Sequence, residues 1–320
     1  FRLLHVIWLG VTRTLLKAWA RKKGEQYSLT FWKICTLSSR LTNLKNSCPR
    51  EFCRKPRSLD ELERWKATEL RQFLLYYGPV ILESVLSQER FVHFLKLSVA
   101  IRILLSKKDC QINNTYAQNL LFSFVKDIPS LYDLTFLTCN FHYLLHIHED
   151  AKKFESLESI SAFRFENHLQ KLKKQVKKAS NVSAQLYNRQ VETSFTLKAV
   201  EKTTSVQFSR KNISEDVYFH VQTSDFYFSI GKPNNFCYVG DDIVKIDKIT
   251  RHNNLPRFEG HTITNLKPLL SQPLSLEHIK IYKTEVITLK NKINFTIEDI
   301  SNKAIVLQSV DSTFAVFPFL

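Results

Sequence analysis

Apolar residues in the first 190 positions recur at helical spacing, whereas from Val217 onward they alternate with polar ones. Leu59, Leu62, Leu70, Phe73, Leu74 and Tyr77 fall in one arc of a helical wheel, which predicts a core-facing helix. Ser58-Leu59-Asp60-Glu61 reads as a capping box, so this helix is expected to start there. Trp65 lies outside the arc, and Gly78-Pro79 supplies a stop signal. The same test predicts helices at about 88–105, 114–127 and 139–153. Phe1 to Ala20 is apolar but interrupted by His5, Arg13 and Lys17, which makes it an amphipathic helix rather than a secretory signal. Val217-Tyr218-Phe219-His220-Val221 and Asp225-Phe226-Tyr227-Phe228 have the period of strands. The expected fold is α+β: a mostly helical part over 1–180, a Ser/Thr/Asn/Gln-rich linker over 181–215, and a small β-rich, barrel-like module over 216–320.

With 320 residues, 44% of them apolar and 24% charged, the chain can bury a core, so wholesale disorder is excluded. Its six glycines stand far apart, which excludes the phosphate-cradling loops of P-loop and Rossmann proteins. H-E-x-x-H, G-x-S-x-G and paired C-x-x-C strings are absent, leaving the zinc protease, hydrolase and zinc-finger readings without support. The six cysteines lack framework spacing and are expected as reduced intracellular thiols. No stretch has the length and apolarity of a membrane span, since Phe91 to Leu105 carries Lys96 and Arg102. No membrane partner is expected. A chain without Met that opens Phe1-Arg2-Leu3 reads as a fragment or an eroded reading frame.

Charge divides the chain. Residues 1–190 hold 31 Lys and Arg against 16 Asp and Glu, and residues 191–320 hold 15 against 14. Almost all of the net +16 therefore sits on the helical part, as in a polyanion-binding domain beside a neutral module or in a merely basic, solvated surface. The last helix of this part concentrates the charge. Phe165, Leu169, Leu172 and Val176 form one apolar stripe, and Lys171, Lys173, Lys174, Lys177 and Lys178 cover the rest. Glu166 flanks the stripe, where it either stands at a functional edge or pairs with a lysine of a solvated helix. Upstream, His142, His146 and Asp150 share a helix face, as metal ligands or as hydrogen-bonded packing residues.

The segment from Cys48-Pro49-Arg50-Glu51-Phe52 through Ser58-Leu59-Asp60-Glu61-Leu62-Glu63-Arg64-Trp65 to Gly78-Pro79-Val80 closely resembles a block in transposases of the En/Spm (CACTA) class of DNA transposons. His5-Val6-Ile7-Trp8-Leu9-Gly10-Val11, His142-Tyr143-Leu144-Leu145-His146 and Ser161-Ala162-Phe163-Arg164-Phe165-Glu166-Asn167 agree with that family in order. The part from Asp242-Ile243-Val244 to Phe317-Pro318-Phe319-Leu320 looks like its β-rich tail. The resemblance implies a nuclear DNA transposase whose RNase H-like domain holds two Mg2+ or Mn2+ ions on two Asp and one Glu, an oxygen-ligand set suited to phosphodiester cleavage and transfer. The helical part would be the back half of that domain with its helical insertion.

Glu166 matches the third carboxylate and is the candidate catalytic and metal-binding residue. Lys171, Lys173, Lys174, Lys177 and Lys178, with Arg54, Lys55 and Arg57, are the candidate DNA-binding residues. The second acid belongs to a D-x-x-H string in the family, and the matching position here, three before His5, is Arg2. A guanidinium there repels a metal ion. The first Asp would precede Phe1. The expectation is a partial, catalytically inactive transposase-like protein that binds DNA and no metal. The alternative is a non-enzymatic nucleic-acid-binding protein of transposase origin that uses its C-terminal module for protein contacts.

Overall fold

The computed structural model describes residues 4–22, 24–197, 206–211, 217–253, 255–269, 279–309 and 313–320. Arg2 and the middle of the expected linker lie outside them. The helical half comprises α1 (Arg13–Arg21), α2 (Phe31–Asn43), α3 (Ala67–Gln72), α4 (Gly78–Ile81), α5 (Gln88–Leu105), α6 (Lys107–Leu131), α7 (Cys139–Tyr143), α8 (Ile147–Lys153), α9 (Phe163–Gln175) and α10 (Val182–Leu197). The last of these occupies the first part of the segment expected as a linker.

At the centre stands α5, buried on nearly every side from Phe91 to Leu105, as an all-round apolar helix must be. Its polar groups bond to backbone carbonyls of its neighbours. Ser98 Oγ donates to Leu74 O (2.7 Å) and Arg102 Nη2 to Leu75 O (2.8 Å), both in the wide helical turn Phe73–Tyr77, and His93 Nε2 meets Phe124 O of α6 at 2.9 Å. The expected helix at 114–127 is the second limb of α6, which bends at Asn113 (φ −116°, ψ 18°). The expected helix at 139–153 is two short ones, α7 and α8.

The start of the 58–81 region differs from expectation. Ser58 Oγ accepts from the Asp60 N–H at 3.2 Å and caps a short 3-10 turn, Leu59–Arg64, while Glu61 turns to Arg57 at 2.9 Å. The carboxylate that returns to a helix start is Glu69, which accepts the Lys66 N–H at 2.8 Å and opens α3. Extended backbone at Trp65 between the two elements turns its ring inward, where it is buried against Phe73, correcting its assignment outside the core. Gly78-Pro79 does not end the helical path either. A Cβ on Gly78 would collide with the Phe94 ring, so glycine permits the close contact of α4 with α5.

The second half is antiparallel. β1 (Gln207–Lys211), β2 (Tyr218–Gln222) and β3 (Tyr227–Ser229) form a three-stranded sheet in sequence order. β4 (Phe236–Val239), β5 (Asp242–His252), β6 (Leu255–Thr264), β7 (Lys267–Pro268), β8 (Tyr282–Thr284), β9 (Thr288–Thr296), β10 (Ile300–Gln308) and β11 (Phe314–Pro318) form an eight-stranded sheet in the order β7-β8-β11-β10-β4-β5-β6-β9. It curls into a half barrel. Both expected strand runs are strands, β2 and β3, because their alternating residues pack Val221 and Phe228 into one apolar cluster.

The two halves share a core. Ile281, Ile305, Leu307, Ala315 and Phe317 of the sheet join the helical cluster, and Arg102 lies between the rings of Tyr76 and Phe317 (4.9 and 5.5 Å). Lys303, fully buried, donates to both Glu51 oxygens (2.8 and 2.7 Å), to Tyr227 O and to Asn234 Oδ1. Burial lowers its pKa, and Glu51 opposes that shift by attraction. No described helix is long and apolar enough to cross a membrane, and all six cysteines are free.

Candidate nucleic-acid interface

Of the candidate residues, Glu166, Lys171, Lys173 and Lys174 lie on α9, and Lys177 and Lys178 on the turn that follows it. The base of α9 is fixed to the helical core: Leu157 N–H donates to Leu104 O (2.8 Å), Ala162 is buried, and the Arg71 guanidinium sits 5.7 Å from the Phe163 ring while bonding Glu158 at 2.9 Å. Beyond that anchor the helix leaves the body of the protein. Phe165 is 64% exposed and Leu169 55%, so the first half of the apolar stripe faces solvent, whereas Leu172 and Val176 are half-buried.

All five lysines, Lys171, Lys173, Lys174, Lys177 and Lys178, are exposed, and none forms an ion pair among the described residues. The turn after α9 is held by Gln185 of α10. Its Oε1 accepts the Lys177 and Lys178 N–H groups (3.0 and 3.2 Å), and its Nε2 donates to Lys178 O (2.9 Å) and Ser180 O (2.6 Å). This clamp presents the last two lysines on ordered backbone. Nothing in the sequence singled out Gln185, since a glutamine that closes a turn has no spacing signature.

Glu166 is half-buried in the first turn of α9, where its N–H donates to Ala162 O (2.9 Å) and a helix N-terminus favours negative charge. No three His, Cys, Asp or Glu side chains among the described residues converge to hold a metal ion. Glu166 therefore belongs to no three-residue ligand group among the described residues, and a two-ion Mg2+ or Mn2+ centre does not fit them. The His142, His146 and Asp150 face does not form a ligand set either. The two imidazoles are exposed and stand edge to face at 5.2 Å, and Asp150 accepts from Tyr143 Oη at 3.2 Å.

The other candidate cations separate into two kinds. Arg54 and Lys55 are exposed on the loop before the 3-10 turn. Arg57 is engaged within the chain: Nε and Nη2 bind the two oxygens of buried Glu69 (2.7 and 2.9 Å), Nη1 binds Glu61, and Nη2 also donates to Arg64 O (2.8 Å). Those carboxylates raise its pKa, and the fork ties the 3-10 turn to α3.

No curated protein and no solved structure matches the chain. Residues 206–319, a span running from just before β1 to within β11 and its tail, match the model of a family described as a domain of unknown function, DUF8592.

Proposed function

We propose that the chain is a transposase-derived, DNA-binding protein, its helical half corresponding to the back half of an RNase H-like domain and its lysine-coated helix α9 lying along the phosphate backbone in the nucleus. The observation that carries the reading is the cluster of five exposed lysines, without an ion pair among the described residues, on one anchored helix hairpin. Side chains in that state neutralise phosphates and release condensed counterions. Strand cleavage is not part of the reading, because Arg2 stands where the resemblance places an acid and Glu166 joins no three-residue ligand group among the described residues. The nearly neutral β half is assigned to protein contacts.

The test is fluorescence anisotropy with a duplex oligonucleotide over a salt series. Log affinity should fall with log salt, and each lysine-to-alanine change at Lys171, Lys173, Lys174, Lys177 or Lys178 that removes a phosphate contact should flatten the slope by about 0.9. A slope near zero in the unmodified protein would refute the proposal.

A further inference from the structure

A cleft of about 1090 Å3 lies where the helical half meets the end of the half barrel, between α2 and α4 on one side and β7, β8 and the start of β11 on the other. Clefts between two folded parts are where small ligands most often bind. Lys267 of β7 and Lys283 of β8 are directly opposite one another in the antiparallel register, and both line this cleft. Opposed residues hold their side chains on the same face of the sheet, and two like charges so placed destabilise it. Neither lysine forms an ion pair among the described residues. Arg40 of α2 lines the same cleft. It is held by Ile81 O (2.9 Å) and Ser84 Oγ (2.8 Å) through Nη1, and its solvent-shielded Nε has no acceptor.

We infer that this cleft binds the phosphoryl group of a small molecule, seated against the Lys267–Lys283 pair with Arg40 as a further cation. A tetrahedral dianion supplies acceptors for several donors at once and removes the repulsion between the two ammonium groups. Glu83 and Glu285 also line the cleft, leaving a net charge of +1 among its described lining residues. The anion therefore belongs beside the lysine pair, and the rest of the ligand lies toward Val80, Leu266 and Val286. The site is independent of the α9 hairpin.

Calorimetric titration with inorganic pyrophosphate tests the site in the full chain. Binding at millimolar concentration is expected, and the paired variant Lys267→Ala/Lys283→Ala should weaken it at least tenfold. Lys290→Ala, an exposed lysine on β9, should leave it intact, and thermal unfolding should show the paired variant folded. Adenosine monophosphate and O-phosphoserine serve as further arms, the tighter of the two identifying a nucleotide or a phosphorylated amino acid as the source. Absence of pyrophosphate binding, or equal binding by the paired variant, would overturn the inference.

Discussion

His93 makes the stability of the helical core depend on pH. Its imidazole is buried on α5, stacked on Phe124 at 4.2 Å, with Nε2 bonded to Phe124 O and Nδ1 without a partner. Burial depresses its pKa from 6.5 to about 4, against the weaker upward pulls of the Phe124 carbonyl and Asp127, with Lys96 adding slightly to the depression. In the unfolded chain the ring takes up a proton near pH 6.5, whereas the folded chain resists it until about pH 4. Stability is thus fully present above pH 6.5 and is lost as pH falls toward 4. The gap is worth about 3 kcal/mol at 1.36 kcal/mol per pKa unit. Urea unfolding at several pH values, for the unmodified protein and for His93→Phe, isolates this contribution. The variant forfeits the bond to Phe124 O and is less stable at neutral pH, but it should lose about 3 kcal/mol less than the unmodified protein on acidification. Parallel pH profiles for the two proteins would refute the reasoning.

Three other substitutions probe the buried charges. Lys303→Met strands Glu51 beneath the sheet and should destabilise by about 3 kcal/mol or more, whereas adding Glu51→Leu should recover part of the loss; urea unfolding of the two variants checks both. Arg57→Ala should lower stability by about 2 kcal/mol, because Glu69 loses its fork, yet leave the salt slope of DNA binding unchanged. A flattened slope would make Arg57 a phosphate contact after all.

The helices with one dominant apolar face or an all-round apolar surface were legible from spacing alone, α5 most fully, because burial acts on every residue of its period. The strands β2 and β3 were legible for the same reason at period two. What spacing did not carry was the outcome of competition between local partners. Ser58 and Glu61 satisfy a capping box as a pattern, but Arg57 draws Glu61 away and Glu69 supplies the cap eight residues on. Phe165 and Leu169 have core spacing, yet burial depends on whether another surface reaches them, and spacing says nothing of that. The lysines of α9 and its following turn were legible as a cluster; that they form no ion pair among the described residues was not, and Arg57, equally basic on paper, proved to be tied inward.

Arg102 Nη1 donates to Pro318 O across 216 residues of chain, and Leu320 closes onto Tyr76 Oη and Arg71. A ribosome delivers the helical half long before these carbonyls emerge. Until then Arg102 keeps Leu75 O and the Tyr76 ring but lacks Pro318 O and the Phe317 ring, and the apolar seam along Tyr76 stays open, as in the incompletely packed states that chaperones recognise. Translation that halts in the middle of the sheet therefore leaves the helical half without Ile305, Leu307, Ala315 and Phe317, the side chains that complete its core.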